Sequence, residues 1–354
     1  MEAVGERFFD NVEDALPGLW GALMAALRPE DGGGRRRLHR SWATEALNAP
    51  VGMLFGLAMK DPATKELEAG AGFPSHWTTL LDDLLALPGD LRRHALVMLG
   101  YQVTWLFTID QDWTEGWMLP LVDDASPDGD ALWEGLLWAA RLPPRPLYVL
   151  IKNALLERAI RDGGSDRKDR TTIVAGFLLA GWGSTDDDDT PLVLDDELRE
   201  TLIHASDEFR RRSLWQLERW CTEPEAPWRD KVGAFFERVW PKQRALHTPA
   251  MSRQLANIAL MSGDLMPRVV ASILPRLVPM RDATLRLDTG NRTGERTPAH
   301  DHPGPLLDLL WAVLGEDASL WPYRVEHSLE ALAQAPETAA DPRLSELRRR
   351  LELR

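Results

Sequence analysis

The sequence is short of the residues that write most membrane and enzyme signatures. It has one cysteine, Cys221, so no intramolecular disulfide can form and a reducing compartment is expected. No apolar run approaches the roughly 18 residues of a membrane-crossing helix. The longest, Ala49 to Met59, reads as a buried helix. The opening stretch, MEAVGERFFDNVEDALPG, lacks the apolar core of a secretory signal, which points to the cytoplasm. Alternating β-branched runs bounded by turns barely occur, so strands are not expected. Positive charge is in deficit. The formal net charge is −14, whereas a protein that tracks a nucleic-acid backbone carries a basic excess or a basic face. Nucleic acid is therefore a disfavoured partner.

Catalytic motifs are missing too. There is no Gly-x-x-x-x-Gly-Lys-Ser/Thr loop to cradle phosphates and no Gly-x-Gly-x-x-Gly following a strand. No Gly-x-Ser-x-Gly turn presents a nucleophilic serine. Gly32 to Gly34 precede Arg35 to Arg37 with no strand before them, and read as a linker.

What the chain has is helix and tryptophan. Fifteen Trp stand against three Tyr. A large indole is at home where elements pack together or where a partner docks, with its N–H satisfied. Trp133 and Trp138 share one helical stretch and Trp215 and Trp220 another, and packing between helices is the default reading of both pairs. HWTTLLDDLLALP places Trp77, Leu80, Leu81, Leu84, Leu85 and Leu87 on a helical period. It stops at Pro88-Gly89, and Asp90 can cap the helix that follows. A dozen or more such helices, joined by Pro, Gly or Asp turns, fill the sequence. Apolar helix starts at Leu91, Leu132, Thr171, Phe209 and Ser252 are 41, 39, 38 and 43 residues apart. A spacing near 40 with two helices per unit marks HEAT-like arrays. The next start, Pro305, comes after 53, the excess falling in an inserted loop near 281–304. The same period carries an echo: GDLRRHALVML (Gly89 to Leu99) returns as SDEFRRRSLWQL (Ser206 to Leu217), Leu91 matching Phe209 at an offset of 118.

The remaining chemistry has bland readings beside sharp ones. Asp186 to Asp189 would suit a hard cation, but without the spacing of a calcium loop they read as a solvated turn. His300 and His302 flank Asp301 in a His-x-His pair that would suit zinc, yet no further ligand cluster accompanies it. His94, His204 and His327 lie within helices and read as structural. The basic clusters, Arg35 to Arg37, Arg92-Arg93, Arg210 to Arg212 and Arg348 to Arg350, would track phosphates if they shared a face. Pairing with neighbouring acids is the reading favoured by the overall acidity. Trp113 and Trp117 lie in the polar segment TIDQDWTEGW, a setting better suited to a surface than a core.

Several phrases also resemble a known group. SWATEALNAPVG (Ser41 to Gly52), LPGDLRRHALVMLGYQVTWLFTIDQDWTE (Leu87 to Glu115), LWEGLLWAARLP (Leu132 to Pro143), LERW after FRRRSLWQ, and WPYRVEHSLEALAQAPETAADPRLSELRRRLE (Trp321 to Glu352) resemble the C-terminal helical region of large bacterial sirtuin-like anti-phage defence proteins. In that family an N-terminal sirtuin-like domain consumes NAD, and the helical region senses a phage component or mediates assembly. This chain has no Gly-rich nucleotide loop or NAD-binding residue set, so the resemblance implies the sensing or scaffolding half and carries over no catalytic residue.

The expectation is then an all-α protein: an irregular HEAT-like helical-repeat solenoid of antiparallel helix pairs. A short helical segment and Gly/Arg linker would occupy 1–40, and the solenoid 41–354. The expected function is a non-enzymatic sensor or scaffold in bacterial anti-phage defence. It would bind a protein partner, an effector enzyme or a phage component, with oligomerisation open and no cofactor or metal. Arg92, Arg93, Trp113, Trp117, Arg210, Arg211 and Arg212 are the candidate interaction surface. The alternatives are a nucleic-acid-binding solenoid, or a metal-dependent enzyme using Asp186 to Asp189 with His300 or His302.

Overall fold

Turn chemistry sets where each helix begins. In a computed structural model of the chain, residues 16–28, 42–161, 168–185, 190–223, 228–280, 284–287 and 297–353 are described. The chain folds as two units, Met1–Ala154 and Leu155–Arg354. The first holds α1 (Leu16–Leu27), α2 (Trp42–Asn48), α3 (Pro50–Ala58), α4 (Ser75–Leu85), α5 (Gly89–Ile109), α6 (Gln111–Val122) and α7 (Pro127–Ala139). The division falls within α8 (Arg145–Arg161), inside the stretch that reads from sequence as one array. The second holds α9 (Lys168–Gly183), α10 (Asp195–His204), α11 (Asp207–Thr222) and α12 (Lys231–Ala234), the last running into a π turn at Phe235–Val239. Then come α13 (Pro249–Met261), α14 (Met266–Ile273), α15 (Pro298–Asp301), α16 (Pro303–Val313), α17 (Val325–Gln334) and α18 (Pro342–Glu352). Among the described residues the fold is all-helical, and extended pairing is limited to isolated bridges, Thr185 with Pro191 and Met280 with Leu314.

The starts follow capping rules. Asp110, Ser126, Ser206, Thr248 and Asp341 each accept a hydrogen bond from a backbone N–H in the first turn of the next helix. This satisfies donors that a helix start leaves open. Prolines open α3, α7, α13, α15, α16 and α18, where their missing N–H costs nothing.

In the first unit α5 is the central helix. Residues 95–100 are buried without interruption, so it is enclosed on all sides rather than amphipathic. It packs most extensively against α7, and glycine makes that approach close. A Cβ built on Gly135 would stand 2.0 Å from the Val97 carbonyl oxygen, and one on Gly100 would stand 2.4 Å from that of Leu132. The two helices therefore touch backbone to backbone. Trp133 fills the space beside them and donates its indole N–H to Val122 O at 2.9 Å.

In the second unit α9 packs on α11, and α11 on α13. Further along, α13 packs on α14, α14 on α16, and α16 on α18. Phe209, Phe235 and Phe236 form the bulk of its fully buried aromatic volume. The tryptophan surplus has a structural use in both units. Trp77 donates to Ala58 O, Trp182 to Asp195, and Trp321 to Gly315 O, each indole fastening a helix or turn to a segment some way off in sequence. Among the described residues no single helix is long and apolar enough to cross a membrane.

Candidate functional site

The two arginine clusters are built into helix corners. The N-cap of α5 is Pro88 and not Asp90, which lies inside the first turn, and that of α11 is Ser206, so Arg92 and Arg210 are each the fourth residue of a helix. In both, the guanidinium reaches back to the end of the preceding helix. Arg92 donates to Leu85 O at the end of α4. Arg210 donates to Leu202 O at 2.7 Å and Ala205 O at 2.6 Å, at the end of α10. Carbonyls in a last helical turn have no partner of their own, and a cation there also opposes the helix dipole. The next arginine repeats too: Arg93 pairs with Asp90, and Arg211 with Glu208, each three residues back.

The corners then differ. Asp128, in the first turn of α7, receives Arg92 at 2.8 Å and Arg93 at 3.0 Å. In the second unit Glu208 takes Arg211 and also Arg212, the latter at 2.9 Å. Arg210 is 5% exposed, buried at its corner. These five arginines are thus engaged by carboxylates or carbonyls. The clusters fall in separate units, Arg92-Arg93 in the first and Arg210 to Arg212 in the second. Arg35 to Arg37 lie outside the described residues.

Trp113 and Trp117 have a different setting. They lie on α6 and join a group of rings that the sequence does not show as a group. Phe73 stacks on Trp77 with centroids 4.2 Å apart, and Trp105 and Trp113 meet both rings at 5.2 to 6.1 Å. Trp117 extends the group beyond Trp113, at 6.1 Å. Trp77 is fully buried beneath, while Phe73, Trp105, Trp113 and Trp117 are half-buried. The turn carrying Phe73 is pinned at both Gly70 and Gly72, whose N–H groups bond to Thr108 O and Ile109 O. Both glycines have positive φ, 77° and 74°, a conformation that favours Gly. Asp110 fastens the group: its carboxylate accepts the backbone N–H of Phe73 at 3.1 Å and of Trp113 at 3.0 Å. Trp113 donates its indole N–H to Asp82, whereas the buried Nε1 of Trp117 has no acceptor among the described residues. Polarity around Trp113 and Trp117 pointed to this place. Phe73 and Trp105 left no comparable signal, because chain folding alone brings them there.

The other candidates are less promising chemically. A groove of about 810 Å³ in the second unit is lined by Trp182, Asp195, Asp196, Arg199, Lys231 and Arg238, among others. Its groups largely satisfy one another: Arg199 pairs with Asp196, Arg238 with Asp195, and Lys231 with Gly183 O. At its edge Arg268 grips Glu237 with two hydrogen bonds, which hold that carboxyl below its usual range. Among the described residues no three His, Cys, Asp or Glu side chains gather in a way that would hold a metal. His300 bonds to Thr297 Oγ1, and Asp186 to Asp189 lie outside the described residues. Cys221 is buried in α11, and burial pushes its thiol up to about 12, far from a reactive thiolate. His94 is largely buried, edge-on to Trp42 and 3.9 Å from Glu45, while His204 faces Glu200 on the surface of α10.

With this geometry in hand, comparison with known proteins adds little. No protein-family profile matches the chain, and no solved structure matches it. A Sinorhizobium fredii (strain NBRC 101917 / NGR234) protein named "Uncharacterized protein y4cA" is 28% identical over 158 residues. The match takes in 43% of this chain and 13% of that protein, so the chain corresponds to a small part of a much longer relative.

Proposed function

We propose that the chain is a non-enzymatic interaction module, a sensor or scaffold that binds a protein partner. The observation that carries this reading is the aromatic face of the first unit, where Phe73, Trp105, Trp113 and Trp117 lie half-buried over Trp77. Half-exposed indoles held in place by a rigid base are the groups that dominate binding energy at protein interfaces. A HEAT-like arrangement of helix pairs is part of the proposal. It is supported by the spacing near 40 residues and by the packing of α9 on α11 and α11 on α13, each helix meeting the next but one. A place in bacterial anti-phage defence beside a sirtuin-like enzyme, and a cytoplasmic location, are proposed on the resemblance and composition described above.

The test is recovery of a partner from host cells, infected and uninfected, with the tagged wild-type chain and its Trp113→Ala variant. A protein retained by the wild type and lost from the variant in either state is the expected result. Identical sets retained by both forms, or none by either, would remove the basis of the proposal.

A further inference from the structure

The aromatic face lies in the part of the chain with the fewest cations. From Glu66 to Ala140 the sequence has thirteen Asp and Glu, and its Lys and Arg are limited to Arg92 and Arg93. Both of those are committed to Asp128, and Arg93 also to Asp90. Among the described residues, the carboxylates around the rings are left without a counter-cation. Asp82 takes the indole N–H of Trp113, Asp110 takes two backbone N–H groups, and Glu115 takes the Gln111 amide. Asp112, beside Trp113 in sequence and exposed, has no ion pair among the described residues.

We propose that this face docks a basic segment of a protein partner, with an arginine or lysine side chain laid against Trp113 and its charge met by Asp112 and Asp82. This deepens the interaction-module reading and rests on it. An indole face is electron-rich and attracts a cation, and a planar guanidinium can stack on it while keeping its N–H groups free for carboxylates. An acidic partner would meet like charge. A wholly apolar one would strip water from Asp82 and Asp112 with nothing in return. The same fields would speed encounter with a basic partner and make it salt-sensitive.

The probe is a labelled twelve-residue peptide of alternating Arg and Gly, with Glu/Gly and Ser/Gly peptides of equal length beside it. Binding to the full chain is read by fluorescence anisotropy at ~0.15 M salt, where long-range attraction is largely screened. The Arg/Gly peptide should bind best, and Trp113→Ala and Asp112→Lys should each weaken it by about tenfold. Glu352→Gln, an exposed change in the second unit, should leave it unaltered. If Trp113→Ala fails to fold by circular dichroism, Asp112→Lys decides alone, since Asp112 is exposed. Equal affinity of the Arg/Gly peptide for all these forms would show only general attraction to an acidic protein and would overturn the proposal. So would a Ser/Gly or Glu/Gly peptide binding as well as the basic one. If a cellular partner depends on Trp113 but the Arg/Gly peptide does not, the module reading stands and the basic-partner proposal falls. If neither depends on Trp113, both fall.

Discussion

Arg210→Met tests whether the arginine cluster of α11 is structural. The side chain is 7% exposed, and methionine keeps most of its apolar stem while deleting the guanidinium. Two carbonyls at the end of α10, Leu202 O and Ala205 O, then lose buried partners at 2.7 and 2.6 Å. Leaving a buried acceptor unsatisfied costs about 1–3 kcal/mol each. The ion pair with Asp207 adds little, roughly 0–1 kcal/mol, because that carboxylate is 62% exposed. The expected loss is therefore about 2–7 kcal/mol. Arg211→Met is the control. Arg211 is 47% exposed and pairs with Glu208 along its own helix, an arrangement worth roughly 0.2–0.5 kcal/mol. Urea titration by far-ultraviolet circular dichroism gives both values, and amide exchange across residues 195–205 locates the damage. Arg210→Lys should fall between, since one ammonium must then serve both the carbonyls, which Arg210 reaches through Nη1, and Asp207, which it reaches through Nε and Nη2. If Arg210→Met lies within about 0.5 kcal/mol of the wild type, or matches Arg211→Met, the corner-capping account is wrong.

Other expectations follow from the same geometry. Gly135→Ala should lower stability by about 2–3 kcal/mol in urea titration, because a methyl there meets the Val97 carbonyl and must push α5 from α7; an unchanged midpoint would show that the crossing is looser than described. Cys221 should resist iodoacetamide in the native protein at pH 8 and react on unfolding, since burial raises its thiol to about 12; equal rates in both states would contradict its placement. Glu346 is drawn down to about 2 by hydrogen bonds from Arg349 and Arg350. A carboxyl depressed in the folded state stabilises above its unfolded value, near 4.5, and loses that contribution as pH falls towards 2. Glu346→Gln should therefore melt below the wild type at neutral pH, with the gap closing between pH 4.5 and 2; a gap constant with pH would count against the pairing.

Helical class is legible in the sequence because its signals are local. Pro88-Gly89 marks the break before α5, and Ser206, which opens SDEFRRRSLWQL, is the N-cap of α11. What is not legible depends on partners remote in sequence. Gly100 and Gly135 look like two ordinary glycines until α5 and α7 cross. The run Arg210, Arg211, Arg212 is uniform as text, yet a turn of about 100° per residue sends the first into a corner and the others towards solvent. The division after Ala154 leaves no mark because α8 continues through it. Half of the candidate site was visible for a related reason. Trp113 and Trp117 share a polar stretch, whereas Phe73 and Trp105 come from a turn and another helix and meet them only in the fold.

The echo between GDLRRHALVML and SDEFRRRSLWQL has a physical meaning that bears on function. At both places an N-cap is followed four residues later by an arginine that closes the end of the previous helix, and then by an arginine paired three residues back. A constraint met twice at an offset of 118 residues belongs to the way a helical corner is made. Residues serving that corner are held by stability, so their recurrence carries no information about a ligand. Function is better sought where the copies part company. After α5 the chain turns through Asp110 into α6 and sets Trp113 over Trp77 and Phe73. After α11 the next described helix, α12, is four residues long and runs into a π turn whose Phe235 and Phe236 are fully buried rather than half-exposed. The non-repeating helix of the first unit is thus where substitution should affect binding more than folding, and Asp112, exposed and without an ion pair among the described residues, is the position that separates the two most cleanly.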